Sequence, residues 1–573
     1  MKKLIYLFFV SIFSISAMSS SWVENLGSIQ ESAEAKKSYI AGMLFGKSYG
    51  SYSLDNLSSA TNTTKFYEQN RYKNFWILED FTLNKNIFDM IWVIRQKSNT
   101  PKKQKRYHLK QVNQILQDIK SDKLIKDKDR NLAVCKLDIL ITDAFFAIAS
   151  DIYQGEIDFK KFKKILRKRH QKDSINYVWD MDKTMDYVPL LYKLTKENDI
   201  LNGLDNLEPK SELLTRLKQG LRFYEDIKEK GGWQKIPKGK TLKRGIKSKR
   251  VSLLRQRLAI TKDLKSSDLN GTLFDDVLED AVKHFQERNG ITPTGKVAKE
   301  TLKSLNIPVE ERIKTIKLNI QRAKFEKDSF EYDHVWINIP EFKMKFIKNS
   351  QTLFEMRTVV GSIKNPTPIF DANMSYLVLN PYWNVPQSIA KKEILAKIQE
   401  NPEYLLVKNY KVYKSWKSDR QEIHPYDVDW TLYDHKDDKK LPFNFSKQPG
   451  VNNPLGAMKF MFPNKYAVYM HDTPEKNLFK KSKRAFSHGC IRLHKPKELL
   501  KYLSENYLTT SYNKLKDILK QGKNTHVNLK REIPVFIRYY TSWVDDYGVV
   551  NFRNDIYNYD KIQKKLLFSD LDK

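Results

Sequence analysis

Cysteine is nearly absent from this chain, with two in 573 residues, Cys135 and Cys490. Two thiols allow one disulfide at most, so a disulfide-dense framework is excluded. Cys135 sits inside "NLAVCKLDILITDAFFAIAS", an apolar helical pattern far along the chain from Cys490, and reads as a buried core thiol. Long apolar runs are scarce too. The one at the start, Leu4 to about Ile15 in "MKKLIYLFFVSIFSISAMSSS", falls short of the roughly 20 residues a membrane span needs. Two lysines before it and small residues after it match an export signal, expected over residues 1–20. An uncleaved anchor is the other reading of that stretch, and no cysteine follows it to take a lipid. No later stretch is apolar enough to span a bilayer. Acidic residues are in deficit, 68 against 102 Lys and Arg, for a formal charge of +34. Such a charge favours polyanionic partners. It is spread along the chain rather than gathered in one arm, and export points away from nucleic acid.

What is present is enough for several cores. The length suggests about three or four domains. Forty per cent apolar and 12% aromatic residues exclude global disorder. From about Ala33 to Trp233 apolar residues recur at helical spacing, as in "SELLTRLKQGLRFYEDIKE". The stretch Val251–Asn306 predicts three helices, Val251–Leu258, Asp275–Asn289 and Ala298–Leu305, with Gly290 and Gly295 as stops. A further helix is expected over Glu310–Phe325. Beyond it "HVWINIPEFKMKFIKN", "LFEMRTVVG", "MSYLVLNPYWNVP", "AMKFMF" and "KYAVYMHD" alternate as strands do, interrupted by a lysine-rich helical stretch. The tail is hairpin-like around "DDYG".

Chemistry concentrates in "MHDTPEKNLFKKSKRAFSHGCIRLHKP", which holds Cys490 and three of the ten histidines, His471, His488 and His494. A zinc site is one reading, but the spacing matches no common ligand pattern. An activated thiol is the other. Alternation in "KYAVYMHD" puts Ala467, Tyr469 and His471 on one strand face, with His471 at the strand end. "SHGC" is a turn in which Gly489 supplies backbone angles closed to other residues. An imidazole beside a thiol lowers its pKa from about 8.5. Backbone N–H groups of Gly489 and Cys490 are candidates for binding an oxyanion, worth roughly 3 kcal/mol per donor. Arg492 and nearby lysines suit a carboxylate-bearing substrate. The residues alone thus point to an exported cysteine acyl transferase or peptidase.

Two resemblances extend this reading. "AVKHFQERNGITPTGKVAKETL" resembles the peptidoglycan-binding family, with Thr294 where that family usually has Asp; a helix-turn-helix DNA reader is the alternative for so small a basic unit. "HDT…SHGCIRL" resembles the active-site signature of the L,D-transpeptidases, usually H-G-T followed by S-H-G-C-[IV]-R-[ML]. "NPYWNVP", "NLFKKSKRAFSHGC", "FYEQNRYKNFW" and "LDILITDAFF" are similar to its large periplasmic Gram-negative subgroup. The resemblance implies a multidomain α+β chain: a helical scaffold at 21–240, a three-helix peptidoglycan-binding module at 244–307, a connecting helix at 308–331, and a β-rich catalytic domain at 332–560. That domain would carry a helical capping insertion at about 388–445. Cys490 would be the nucleophile and His471 the general base and acid. Gly489 and His488 would shape the pocket with Ser487. Arg492, Tyr469 and Trp383 would meet substrate. Asp472, where the usual motif has Gly, would orient His471 through its carbonyl. The implied partners are peptidoglycan stem peptides, a tetrapeptide donor and a diamino-acid amine acceptor (or an outer-membrane lipoprotein), and glycan. No metal or organic cofactor is implied, the location would be the periplasm, and no oligomeric state follows. A hydrolase using the same thioester and a wall-binding scaffold without chemistry are the rival classes.

Overall fold

The computed structural model describes residues 33–569, apart from 79–81, 122–123, 125, 174–176, 266–267, 331, 416–420 and 435–439. The expected export signal lies outside the described residues. Helices run to Ala323, and strands begin at His334. The chain is multidomain α+β.

The helix Asp127–Tyr153 is the axis of the N-terminal region and is buried over most of its length, Cys135 included. A helix apolar on every side needs neighbours on every side. They include the helices Ala33–Leu44, Ala60–Gln69, Ile87–Lys97 and Leu109–Lys120. Two buried aspartates on the axis tie down the surrounding loops. Asp138 accepts from the Trp76 N–H at 2.7 Å and the Tyr67 hydroxyl at 2.5 Å, and Asp143 meets His108 Nε2 at 2.8 Å. Phe162, Leu166 and Trp179 pack into the core of the β-domain, and the helix Glu212–Glu229 packs on Val309–Ala323 and a C-terminal hairpin. An apolar stripe announces that a face is buried, not against what.

The three-helix module forms as Lys249–Ile260, Asp276–Arg288 and Lys299–Leu305, with a core of its own. Gln286 is fully buried. Its side chain accepts from the Gly295 N–H at 2.9 Å and donates to the Lys296 carbonyl and the Thr301 hydroxyl, both at 2.9 Å. One amide thus fixes the turn between the second and third helices.

The β-domain contains β1 (His334–Asn338), β2 (Lys343–Lys348), β3 (Gln351–Gly361), β4 (Asp371–Leu379), β5 (Trp383–Asn384), β6 (Tyr410–Tyr413), β7 (Glu422–Ile423), β8 (Asn444–Lys447), β9 (Met458–Met461), β10 (Met470–His471), β11 (Ala485–Ser487), β12 (Ile491–Leu493), β13 (Thr525–Arg538), β14 (Ser542–Val544) and β15 (Val550–Phe552). Nine of them form one sheet in the order β11-β3-β12-β10-β9-β4-β13-β1-β2, and a further pairing joins the end strand β2 back to β3. β14 and β15 make the expected hairpin. Three differences from the sequence reading matter. The strand expected over "KYAVYMHD" shrinks to Met470–His471: Ala467 has a φ of 53°, which no strand residue adopts, so the shared strand face of Ala467, Tyr469 and His471 does not exist. The insertion is not simply helical. Its helices Gln387–Ile389, Leu395–Glu400 and Glu403–Val407 lie with a four-stranded sheet, β5-β8-β6-β7, around Ile394, Ile398, Val412, Trp430 and Phe445. Strands of two to four residues are too short to show a period. Finally, the chain ends in a helix, Tyr559–Phe568, that runs past the expected boundary at 560 and packs on Val309–Ala323.

Candidate active site

Strand register builds the site. Across β9, β10 and β12, Lys459 stands opposite His471 and His471 opposite Arg492. Directly opposed residues share a sheet face. The alternate positions Phe460, Met470 and Ile491 are fully buried in the hydrophobic core, so the Lys459–His471–Arg492 row faces the other way. β12 starts one residue after Cys490, which is half-buried at the end of the "SHGC" turn.

The turn is braced from inside and from far along the chain. Gly489 has a φ of 119°, in the region that favours glycine. A Cβ there would meet nothing closer than the Pro366 carbonyl at 3.8 Å, so glycine is needed for its backbone angle rather than for room. Ser487 is buried, donates to the Cys490 carbonyl at 2.5 Å and accepts the Gly489 N–H at 3.1 Å. The Thr367 hydroxyl donates to the Gly489 carbonyl at 2.8 Å. Tyr557 in turn accepts the Thr367 N–H at 3.1 Å and donates to the Gly361 carbonyl at 2.7 Å.

His471 is 4% exposed, and its Nδ1 lies 2.5 Å from the Asp472 carbonyl. A carbonyl can only accept, so Nδ1 carries the proton and Nε2 keeps the lone pair. Burial, then the charge of Arg492, hold the ring neutral by lowering its pKa to about 3. The Asp472 carboxylate points away from the imidazole, to the Ala457 N–H at 3.0 Å and Lys476 Nζ at 2.5 Å. A Cβ on Gly456, whose φ is 60°, would run into that carboxylate. Burial pushes the Cys490 thiol up, while the Tyr469 N–H and hydroxyl against the sulfur, then Lys459 and Arg492, pull it down. The thiol itself donates to the Ala467 carbonyl at 3.8 Å.

Several expected roles meet a different geometry. The Gly489 N–H is taken by Ser487 and is not free for an oxyanion. Ser487 spends its hydroxyl inside the turn rather than on a substrate. Arg492 is ion-paired to Glu475 instead of standing free. His488 is exposed and reaches across to the insertion, 2.6 Å from Glu393. Trp383 belongs to the insertion's sheet with its ring against Tyr410, and no contact among the described residues ties it to Cys490. His494 packs on Phe479. Among the described residues no three His, Cys, Asp or Glu side chains converge as metal donors. Thr367, Tyr557, Lys459, Glu393 and Glu475 are the site residues that sequence reasoning missed. "DAVKHF" and "AMKFMF" look equally ordinary, and no local signal marks Lys459.

A profile of the L,D-transpeptidase catalytic domain matches residues 332–527, the segment holding every one of these site groups except Tyr557. Residues 332–527 are an L,D-transpeptidase catalytic domain. A Scaffold domain matches 61–221 and a provisionally described peptidoglycan binding domain matches 247–305. A Haemophilus influenzae protein with the provisional name L,D-transpeptidase is 30% identical over 244 residues, 43% of this chain and 47% of the relative. The chain thus matches about half the length of that curated relative. Solved L,D-transpeptidases from Xylanimonas cellulosilytica and Stackebrandtia nassauensis are each 12% identical, at TM-scores of 0.16 and 0.20. They cover 52% and 53% of this chain and 98% and 96% of their own. No helix among the described residues is long and apolar enough to cross a membrane.

Proposed function

We propose that the chain is an exported L,D-transpeptidase that joins diamino-acid residues of neighbouring peptidoglycan stems through a Cys490 thioester. One observation carries the reading: a half-buried cysteine after a left-handed glycine, immediately before the strand β12 that pairs with β10, and on β10 a buried histidine whose Nδ1 is held by a carbonyl. The ring is therefore a neutral base with Nε2 available, in a family whose catalytic domain covers these residues.

The steps follow from the groups present. Cys490 loses its proton to His471 Nε2 as sulfur attacks the carbonyl of the diamino-acid residue in a donor tetrapeptide. The tetrahedral oxyanion takes the Cys490 N–H, and the Tyr469 hydroxyl beside the sulfur replaces the Gly489 donor that Ser487 occupies. The C–N bond to the terminal D-alanine breaks, and the imidazolium returns its proton to that amine. An amine from a second stem then attacks the thioester, His471 accepts its proton, and the thiol is regenerated. The insertion, tied to the turn through Glu393 and His488, caps the groove. The three-helix module holds glycan or stem peptide, and the location is the wall side of the inner membrane.

The test is incubation of the purified chain with disaccharide-tetrapeptide and weighing of the products. A dimer lighter by one D-alanine supports cross-linking. A shortened monomer makes the same acyl-enzyme a hydrolase, and unchanged substrate leaves a wall-binding scaffold.

A further inference from the structure

Three cations and a histidine crowd the catalytic face, and one of the cations is accounted for differently from the others. Arg492 is paired with Glu475 and Lys476 with Asp472. His471 is neutral. Lys459 is half-buried on the middle of the sheet, with Val378 opposite it on β4 and His471 opposite it on β10, neither of which offers a negative charge. No ion pair is formed by Lys459 among the described residues. Its ammonium lies 5.5 Å from the centre of the Tyr469 ring, and the hydroxyl of that ring lies against Cys490.

A buried ammonium without a carboxylate is costly unless something nearby becomes negative. Here the nearby group that becomes negative is the sulfur. Every other charged or titratable group facing Cys490 is already committed: Tyr469 from the preceding loop, His471 from β10, and Arg492 from β12 with its Glu475. Asp472 faces Lys476, and His488 faces Glu393 of the insertion. The neutral imidazole cannot serve as counter-charge in the resting enzyme, because two cations flank it in the row.

We propose that Lys459 is a positioning residue for the reaction, the counter-ion that stabilises the Cys490 thiolate from the neighbouring strand. The step it favours is simple ionisation: the S–H bond breaks, the electron pair stays on sulfur, and the proton leaves to His471 Nε2 or to water. The electrostatics run both ways, since burial lowers the Lys459 pKa while Cys490 raises it. The proposal rests on Cys490 being the nucleophile, but its test reads the thiol and not turnover.

The experiment follows alkylation of Cys490 by iodoacetamide against pH in the full chain, with the labelled peptide quantified by mass so that Cys135 does not contribute. In Lys459→Met, which keeps the stem and removes the charge, the midpoint rises by about one unit, so about tenfold less thiolate exists at neutral pH. Lys459→Arg stays within a few tenths of the parent. An unchanged midpoint in Lys459→Met, or an equal rise in Lys459→Arg, overturns the proposal. Should the neutral variant fail to fold, the parent protein supplies the same answer. Blocking Cys490 with iodoacetamide must lower the titration midpoint of the Lys459 ammonium, read by its 15Nζ resonance, and no movement there is equally fatal. Absence of any cross-linked product would count against the enzymatic reading and leave these midpoints untouched.

Discussion

His284 in the peptidoglycan-binding module and His471 in the catalytic domain each have an aspartate and an arginine close by, yet their rings are driven in opposite directions. His284 Nδ1 meets the Asp263 carboxylate at 2.8 Å, and that hydrogen bond raises its pKa. Asp263 also takes Arg288 through Nε at 2.6 Å and the Thr261 hydroxyl at 2.6 Å, and is itself lowered to about 2 although it is buried. His471 meets only the carbonyl of its aspartate, whose carboxylate has turned to Lys476 and Ala457. The module satisfies its charges and gains cohesion. Around Arg288, which also reaches the Val550 carbonyl of the C-terminal hairpin at 3.3 Å, the network docks the module on the β-domain. The catalytic face leaves a neutral base and an ammonium without an ion pair among the described residues on neighbouring strands, and a thiol at the end of the adjoining turn, and such incompletely balanced groups are the ones free to react.

The comparison can be broken in four places. Cys490→Ala removes a group whose sulfur contacts, to the Ala467 carbonyl and from Tyr469, are weak hydrogen bonds that add little stability, so turnover falls by about 10⁴-fold or more while the melting temperature holds. Product mass and calorimetry on the same sample check both halves. Histidine titration comes next. Followed by NMR, His471 shows no change between pH 5 and 8, because its folded midpoint is about 3. His284 titrates above 6.5, so its stabilising charge is complete below that pH and is lost as pH rises through the higher folded value. Equal midpoints for the two rings would erase the contrast. Arg288→Met leaves Asp263 buried without its main partner and costs about 3–5 kcal/mol, read as denaturant midpoint, and Asp263→Asn in the same chain recovers most of it. The smallest effect is Glu393→Gln. That pair is about half exposed on both sides, and its loss costs less than about 1 kcal/mol. A stability loss above that size would make the insertion part of the catalytic domain's fold rather than a cap on it.

Legibility in the sequence followed distance along the chain. The module was readable almost to the residue because Gln286, Gly295 and Thr301 act on one another within 16 positions. The "SHGC" turn was readable for the same reason, since Ser487 braces Cys490 three residues away. The segment before His471 was misread, because Ala467 and Tyr469 sit in a turn that mimics strand alternation. The oxyanion donor on Gly489 was misassigned because only the folded turn shows the serine oxygen that occupies it. Thr367 and Tyr557 were invisible, being 122 residues before Gly489 and 190 residues after Thr367 respectively.

Sequence alone determined the glycine turn before Cys490, the helical and β-rich halves and the three-helix unit, since each depends on spacings of a few residues that bonding geometry enforces. Tertiary structure decided which charges meet. Strand register aligned Lys459, His471 and Arg492 from segments up to 33 positions apart, and side-chain competition chose which carboxylate reached which cation. Register is settled by the packing of the entire sheet against its core, and no local pattern encodes that sum.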